Sequence, residues 1–263
     1  MKFSLCIGAY EGKDAIYHLE KIKEHGFHGL EYYSWWDLDL EKISKEQERI
    51  GAGIIATCTR YFNLVDSSRR AEYLAGLKET IEACKILGTQ SIITQTGNVQ
   101  DGVSREVQQQ AMIETLKQCA IMCEDADVIL EVEPLNGLVD HQGHFLQYSD
   151  EAVSIIDRVD SPNVKLVFDV YHQQITEGNV IRNATKYAER INHYHIADNP
   201  GRNQPGSGEL NYVNILKAIK ETGYNGFVGL ECGYTKNTDE ALEEFSQTII
   251  NNVFPSKAGA RLI

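Results

Sequence analysis

The chain repeats one pattern along its whole length: a short apolar run followed by a longer stretch of mixed polarity. Runs rich in β-branched and aromatic residues lie near 3–8, 29–34, 54–60, 91–97, 127–134, 164–171, 191–198 and 227–233, and they predict eight β-strands. Their mean spacing is about 33 residues, close to the length of one strand-and-helix unit. This rhythm predicts an α/β fold.

The stretches between these runs predict eight helices. In one of them, apolar residues recur from Tyr212 at i, i+3, i+4 and i+7, which is the spacing of one helix face. Asn211 can cap the first turn of this helix and Gly223 can end its last turn. The other helices are predicted at 14–24, 38–50, 68–87, 104–123, 150–159, 180–189 and 237–252.

Eight strands that alternate with eight helices predict one closed (β/α)8 barrel, a TIM barrel, because no linker rich in proline, glycine or serine divides them. We expect a single domain over 1–263, with 254–263 as a short C-terminal tail. The alternative is a doubly wound open sheet. That fold is disfavoured because no G-x-G-x-x-G motif follows the first strand and because the number of strands favours closure.

Charge and cysteine content exclude several kinds of partner. The chain has 25 Lys and Arg against 38 Asp and Glu, a net charge of −13, so we do not expect it to bind nucleic acid, which needs a basic surface. Its six cysteines form no C-x-x-C pair, and no apolar leader is evident. No apolar run approaches the ~18 residues of a membrane span. We therefore expect a cytoplasmic protein that does not contact membranes.

Ionisable residues lie late in four consecutive predicted strands: Glu133 in V-E-P-L-N, Asp169 in V-F-D-V-Y-H, His195 in H-Y-H-I and Glu231 in G-L-E-C. The carboxyl ends of barrel strands carry the active site, so these side chains are expected to meet there. Three buried carboxylates repel one another unless a cation lies between them. Three carboxylates and one imidazole suit Mn²⁺ or Mg²⁺ best, with Co²⁺ and Zn²⁺ as further options. The sequence therefore predicts a divalent-metal site.

Residues beside these strand ends are candidates for binding a substrate. His172, three residues after Asp169, is placed to hydrogen-bond a substrate oxygen, with a purely structural role as the alternative. Asn136 and Gln95 follow neighbouring strands and offer polar contacts. Trp35 follows the second strand and is expected to form a wall of the pocket.

The loop after the seventh strand, A-D-N-P-G-R-N-Q-P-G-S-G-E from Ala197, is rich in glycine and proline. These residues indicate a loop of defined shape. Its Arg202 has two possible roles. It is placed either to contact a carboxylate, carbonyl or hydroxyl of the substrate, or to brace the loop against Asp198 or Glu209.

Four motifs together carry a family resemblance. They are E-P-L-N from Glu133, D-V-Y-H-Q-Q from Asp169, I-A-D-N-P-G-R through P-G-S-G-E-L-N-Y from Ile196, and G-L-E ending at Glu231. With these motifs, the region from about 128 to 234 resembles the hydroxypyruvate isomerase family, in the xylose isomerase-like TIM barrel superfamily. The resemblance implies that residues 133, 169, 195 and 231 hold the metal and that the two glutamates are acid/base catalysts. It also implies isomerisation of a sugar or hydroxy-carbonyl compound by proton transfer through a metal-stabilised enediolate.

Two positions differ between the hydroxypyruvate isomerases and the related ketose 3-epimerases, and this chain agrees with the epimerases at only one of them. Position 195 is often Gln in hydroxypyruvate isomerases, whereas related ketose 3-epimerases have His there, as does this chain. The epimerases also have a substrate-binding Glu six residues beyond the metal-binding Glu, where this chain has Val139. A ketose 3-epimerase therefore stays an alternative.

More distant alternatives are a metal-dependent lyase, a subunit that cleaves carbon-linked glycosides, and a barrel retained only for binding sugars. The metal-dependent apurinic endonucleases of the same superfamily are disfavoured by the acidic charge of this chain. The expected partner is a small sugar or hydroxy-carbonyl substrate. The helices outside the barrel also offer surfaces on which a homo-oligomer can form.

Overall fold

A computed structural model describes residues 1–255 of the chain. Eight parallel strands form a closed barrel in chain order, and the eighth strand pairs with the first, which confirms the predicted (β/α)8 fold. Most of the predicted C-terminal tail, 256–263, lies outside the described residues. The strands are β1 Lys2–Cys6, β2 Gly29–Glu31, β3 Ile54–Cys58, β4 Ser91–Thr94, β5 Ile129–Val132, β6 Val164–Asp169, β7 Ile191–Ile196 and β8 Phe227–Leu230.

Helices connect successive strands around the outside of the barrel. None of those in residues 1–255 is both long and apolar enough to cross a membrane. The helices are α1 Ala15–His25, α2 Leu40–Ile50, α3 Arg70–Leu87, α4 Arg105–Ala126, α5 Ser149–Val159, α6 Val170–Thr176, α7 Val180–Lys186, α8 Tyr212–Glu221 and α9 Thr238–Phe245, which continues through a π-helical turn, Ser246–Ile250, into α10 Asn251–Val253. Short 3₁₀ turns lie at Trp35–Asp37, Ser67–Arg69 and Ala188–Arg190.

Helix α8 has the boundaries and the buried face that its sequence predicts. The side chain of Asn211 accepts a hydrogen bond from the backbone N–H of Asn214 and caps the first turn. Gly223 lies just beyond the end of the helix with a φ of 85°, a conformation that glycine adopts at little cost. The apolar face packs into the main core through Tyr212, Ile215, Leu216 and Ile219.

The chain becomes helical at one place where the sequence pattern predicts a strand. The predicted strand continues to residue 171, but β6 ends at Asp169 and α6 begins at Val170. The carboxylate of Asp169 accepts hydrogen bonds from the backbone N–H groups of Tyr171 and His172, so it caps the first turn of α6. The strand prediction is wrong here because a short buried helix carries the same apolar residues as a strand. As a result, His172 extends from a helix.

The inside of the barrel is more polar than the layer between the strands and the helices. A small apolar cluster of Ala56, Ile93 and Val167 is separate from the main core. In the strand register, Ile93 lies beside Glu131 and Val167 beside His193, and register partners on adjacent strands face the same side of a sheet. Buried ionisable side chains therefore share the barrel interior with a few apolar ones.

Candidate active site at the carboxyl end of the barrel

The structure brings the four predicted ionisable residues together at one end of the barrel. Glu133 follows β5, Asp169 ends β6, His195 lies near the end of β7 and Glu231 follows β8. Nδ1 of His195 lies 3.2 Å from Oε1 of Glu133 and 3.3 Å from Oε2 of Glu231. Glu133, Asp169 and His195 are buried, and the side chain of Glu231 is 21% exposed. Four residues that are distant in the sequence thus form one site open to solvent on one side.

Ligand atoms of Glu133, Asp169, His172 and Glu231 all lie within 4.8 Å of one another. Two buried atoms in this group, Oδ2 of Asp169 and Nε2 of His172, lie 3.6 Å apart and lack a hydrogen-bond partner within residues 1–255. Burial, and next the neighbouring Glu231 carboxylate, raise the pKa of Asp169 to about 6. A divalent cation would relieve the repulsion between these carboxylates, so they fit the predicted metal. The imidazole in this group is His172, however, whereas the predicted ligand His195 lies in a second group with Cys6 and Glu31.

The hydrogen bonds of the two histidines distinguish their roles. The backbone N–H of Asn136 can only donate, and it lies 3.4 Å from Nδ1 of His172 while the Asn136 side-chain amide lies 2.7 Å from the same nitrogen. Nδ1 of His172 is therefore the acceptor. Burial lowers the pKa of His172 to about 4, so its ring is neutral and carries its proton on Nε2. That N–H suits a substrate oxygen better than a metal.

His195 has the opposite arrangement. Its Nε2 lies 2.8 Å from Oε2 of the buried Glu31, and a carboxylate accepts the N–H hydrogen bond. Nδ1 is then the nitrogen that faces Glu133 and Glu231 and can offer its lone pair to a cation. Burial opposes a charge on this ring, but the Glu31 and Glu231 carboxylates raise the pKa of His195 well above its usual value. A proton and a cation therefore compete for Nδ1.

Glu31 is a functional candidate that sequence reasoning misses. It is fully buried and accepts hydrogen bonds from Ser4 Oγ at 2.7 Å and from His193 Nε2 at 3.0 Å as well as from His195. Burial alone would raise the pKa of this carboxyl, but the two histidine rings hold it well below its ordinary value. On the other side of His193, Nδ1 lies 3.6 Å from the equally buried Glu131. The signal in the sequence is an acid within the apolar G-L-E run of β2.

Glu231 is held in place by two further donors. The hydroxyl of Tyr33 donates to Oε1 and Nη2 of Arg202 donates to Oε2, both at 2.8 Å. Burial opposes its ionisation, but His195 and then Arg202 lower the pKa of Glu231 below its ordinary value. Tyr33, which sequence reasoning also misses, keeps its proton because burial raises the pKa of its phenol well above the usual value.

The loop after β7 presents Arg202 to the site. Asp198 ties this loop together through the backbone N–H groups of Asn199, Gly206 and Leu210, and the carboxylate of Glu209 accepts from Asn199. Arg202 takes neither acid as its partner. Arg202 therefore does not brace the loop in the predicted way, and its contact with a substrate stays a prediction.

The other predicted binding residues differ in how closely they adjoin the cluster. Asn136 is buried and contacts both His172 and Asp140, so it fixes the ring of His172. Trp35 lies in the turn after β2, packed edge-on against Trp36, with its buried Nε1 lacking a partner within residues 1–255. Its role as a wall of the pocket stays a prediction.

Because Gly229 has no side chain, the carboxylate of Glu31 can pack directly against its backbone. A Cβ at this position would lie 2.0 Å from Oε1 of Glu31 and 3.1 Å from Cδ2 of His195. We expect Gly229→Ala to lower the free energy of unfolding by about 1–3 kcal/mol, the usual cost of overpacking a core, as measured by urea denaturation. Gly53→Ala is the control because its added Cβ would be 3.5 Å from the nearest atom. Equal stability of the two variants would contradict this account.

Comparisons with known proteins agree with the fold and with an isomerase-type enzyme. The chain is 32% identical over 248 residues to a hydroxypyruvate isomerase of Escherichia coli (strain K12), a match that covers 91% of this chain and 94% of that protein. It is 30% identical over 163 residues to a 2-oxo-tetronate isomerase of Cupriavidus necator, covering 62% of each. These relatives confirm the resemblance to hydroxypyruvate isomerases and the prediction of an isomerase-type enzyme.

A solved structure of D-psicose 3-epimerase from Clostridium cellulolyticum H10, with D-tagatose, superposes with a TM-score of 0.78 at 21% identity. The superposition covers 95% of this chain and 97% of that one, and at this identity it speaks for the fold alone. A family model described as xylose isomerase-like TIM barrel matches residues 19–249. The chain therefore belongs to the xylose isomerase-like TIM barrel family.

Proposed function

We propose that the protein isomerises a small sugar or hydroxy-carbonyl compound by moving a proton between the two carbon atoms of a hydroxy-carbonyl unit. The observation that carries this proposal is the pair of glutamates, Glu133 and Glu231, which follow β5 and β8 and both approach Nδ1 of His195. One carboxylate removes the carbon-bound proton, and one of the pair returns a proton to the adjacent carbon. The hydroxyl proton passes to the former carbonyl oxygen, so that the hydroxyl and carbonyl groups exchange places. The hydroxypyruvate isomerase relative supports the same class of reaction.

In this proposal Glu133, Asp169, Glu231 and Nδ1 of His195 hold a divalent cation, with Mn²⁺ or Mg²⁺ favoured by the oxygen-rich ligand set. Such a cation, when bound, supplies Lewis-acid stabilisation of negative charge on the substrate oxygens. His172 donates its Nε2–H to a substrate oxygen, and Asn136 holds that ring in place. Arg202 adds a positive charge beside Glu231.

Epimerisation is the second candidate, and the same pair of glutamates supports it. If one glutamate removes the proton and the other returns it to the same carbon from the opposite face, the product is an epimer. His195, which matches the epimerase pattern at this position, also favours this outcome.

A label-exchange panel tests the proposal. Hydroxypyruvate, tetruloses, pentuloses and hexuloses are incubated with the protein and Mn²⁺ in deuterium oxide, and NMR follows deuterium incorporation at carbon. We expect exchange with at least one compound. Label at the neighbouring carbon indicates isomerisation, and label with inversion at one carbon indicates epimerisation. Chelator-treated protein without added metal is the control. No exchange with any compound would contradict the proposal.

A further inference from the structure

A polar groove of about 680 Å³ opens at the carboxyl end of the barrel, within the size range of small-molecule sites. It is formed by the loops that follow β3, β4 and β5. Its half-buried residues include Asn63 and Gln95, and Asn98 and Gln142 are exposed. None of these residues belongs to the metal and acid/base set proposed above.

The groove adjoins that set. His141, which lines the groove, packs its ring against that of His172 with 5.2 Å between the ring centroids. Asp140, also in the lining, accepts a hydrogen bond at 2.8 Å from the side chain of Asn136, the residue that holds His172. A substrate that is bound beside His172 and is long enough to extend past His141 would therefore reach this groove.

Four amide side chains in the lining have hydrogen-bonding capacity to spare. Those of Asn63, Gln95, Asn98 and Gln142 make no hydrogen bond to another group of residues 1–255. Each amide offers two N–H donors and a carbonyl acceptor. A hydroxyl group is likewise a donor and an acceptor, so a chain of hydroxyls is the complement of this lining.

The charges in the lining disfavour an anion. Within residues 1–255 the lining includes the carboxylates of Asp66 and Asp140 and neither lysine nor arginine. Its buried His144 is neutral near pH 7, because burial lowers the pKa of that ring to about 4. Arg202 is engaged with Glu231 and does not line the groove. A carboxylate in this groove would meet negative charge with no cation to balance it.

We propose that this groove binds the neutral, hydroxylated tail of the substrate, and that the preferred substrates are ketoses of five or six carbons. This inference rests on the proposed function, and it names the class of substrate. In hydroxypyruvate, the part beyond the two reacting carbons is a single carboxylate. That compound would leave the groove unfilled or place an anion in it.

Kinetics of the deuterium exchange with a pentulose and with hydroxypyruvate test the assignment. We expect the wild-type kcat/KM to be higher for the pentulose. Gln95→Leu and Asn63→Leu should each lower the ratio of the two kcat/KM values about tenfold, because each removes a hydrogen-bonding partner of the tail. Gln118→Leu, on an exposed part of α4, is the matched control and should leave the ratio as it is.

Binding of xylitol, a neutral five-carbon polyol without a carbonyl group, gives a readout that does not require turnover. We expect titration calorimetry to show xylitol binding to the wild-type protein and a roughly tenfold higher Kd for Gln95→Leu. Equal xylitol affinity for the two proteins, or no binding to either, would overturn the groove assignment.

The outcomes also separate the two proposals. Exchange with hydroxypyruvate but with no pentulose or hexulose would support an isomerase and overturn the groove assignment. If no compound exchanges, the proposed function fails, and the xylitol titration alone decides whether the groove recognises polyols.

Discussion

We expect Glu231→Gln to lower the rate of proton exchange at carbon by about 10²–10⁴-fold, the range that general acid/base groups contribute. The amide of glutamine cannot accept the proton that the proposed mechanism gives to this carboxylate. Its carbonyl oxygen can still accept a hydrogen bond from Tyr33 or Arg202, the present partners of Glu231, so the fold is expected to persist. Glu133→Gln should have an effect of similar size because Glu133 is the other member of the pair.

The measurement has to separate loss of the base from loss of the metal. Exchange is therefore followed at several Mn²⁺ concentrations, and circular dichroism checks the fold. Glu240→Gln, which changes an exposed glutamate of α9, is the control for removal of one negative charge. Exchange at the wild-type rate in either active-site variant would reject the acid/base assignment for that residue.

The barrel and the placement of Glu133, Asp169, His195 and Glu231 are predictable from the sequence because they rest on local signals. Alternation of strand-like and helix-like patterns identifies the units, and the repeat number indicates closure. A polar residue late in an apolar run then marks the mouth of the barrel. All four residues do meet there: Nδ1 of His195 in β7 lies 3.3 Å from Glu231, which follows the adjacent β8, and 3.2 Å from Glu133, which follows β5, two strands away.

The same signal does not identify Glu31, because the end of β2 is hard to locate from the sequence. The apolar pattern there runs to residue 34, but the strand ends at Glu31, so the sequence places this acid mid-strand. Its bonds to His195 and His193, which are 164 and 162 residues away in the chain, exist only once the barrel has closed. Tyr33 cannot be predicted either, because its hydrogen bond to Glu231, 198 residues away in the chain, also forms only in the closed barrel.

The resemblance assigns the metal to His195 and a substrate oxygen to His172, but a physical reason for that assignment needs the structure. Both follow from the sequence as histidines near strand ends. Only the partners of the second ring nitrogen separate them: Glu31 accepts from His195, whereas the backbone of Asn136 donates to His172. Sequence alone shows neither partner.

The partnership of Glu31 with His195 predicts that Glu31→Gln weakens Mn²⁺ binding by about 10–100-fold, the usual effect of removing a carboxylate that orients a metal ligand. Glu31 accepts hydrogen bonds from two histidine rings, one on each oxygen. A glutamine has a single carbonyl oxygen, so its NH₂ group would face Nε2 of either His193 or His195. If it faces His195, the proton of that ring moves to Nδ1, where it blocks the lone pair that the cation needs.

Titration calorimetry with Mn²⁺ measures this effect, and long-range ¹H–¹⁵N NMR spectra of the histidine rings report which nitrogen of His195 carries the proton. Glu131→Gln is the matched control, because Glu131 is an equally buried barrel glutamate that approaches His193. Both variants replace a buried carboxyl group by an amide, so a general loss of stability would weaken Mn²⁺ binding in both. Weakening confined to Glu31→Gln, with an altered His195 tautomer, assigns Glu31 as the residue that positions the metal-binding imidazole. Wild-type affinity in Glu31→Gln would leave Glu31 a structural residue of the barrel interior.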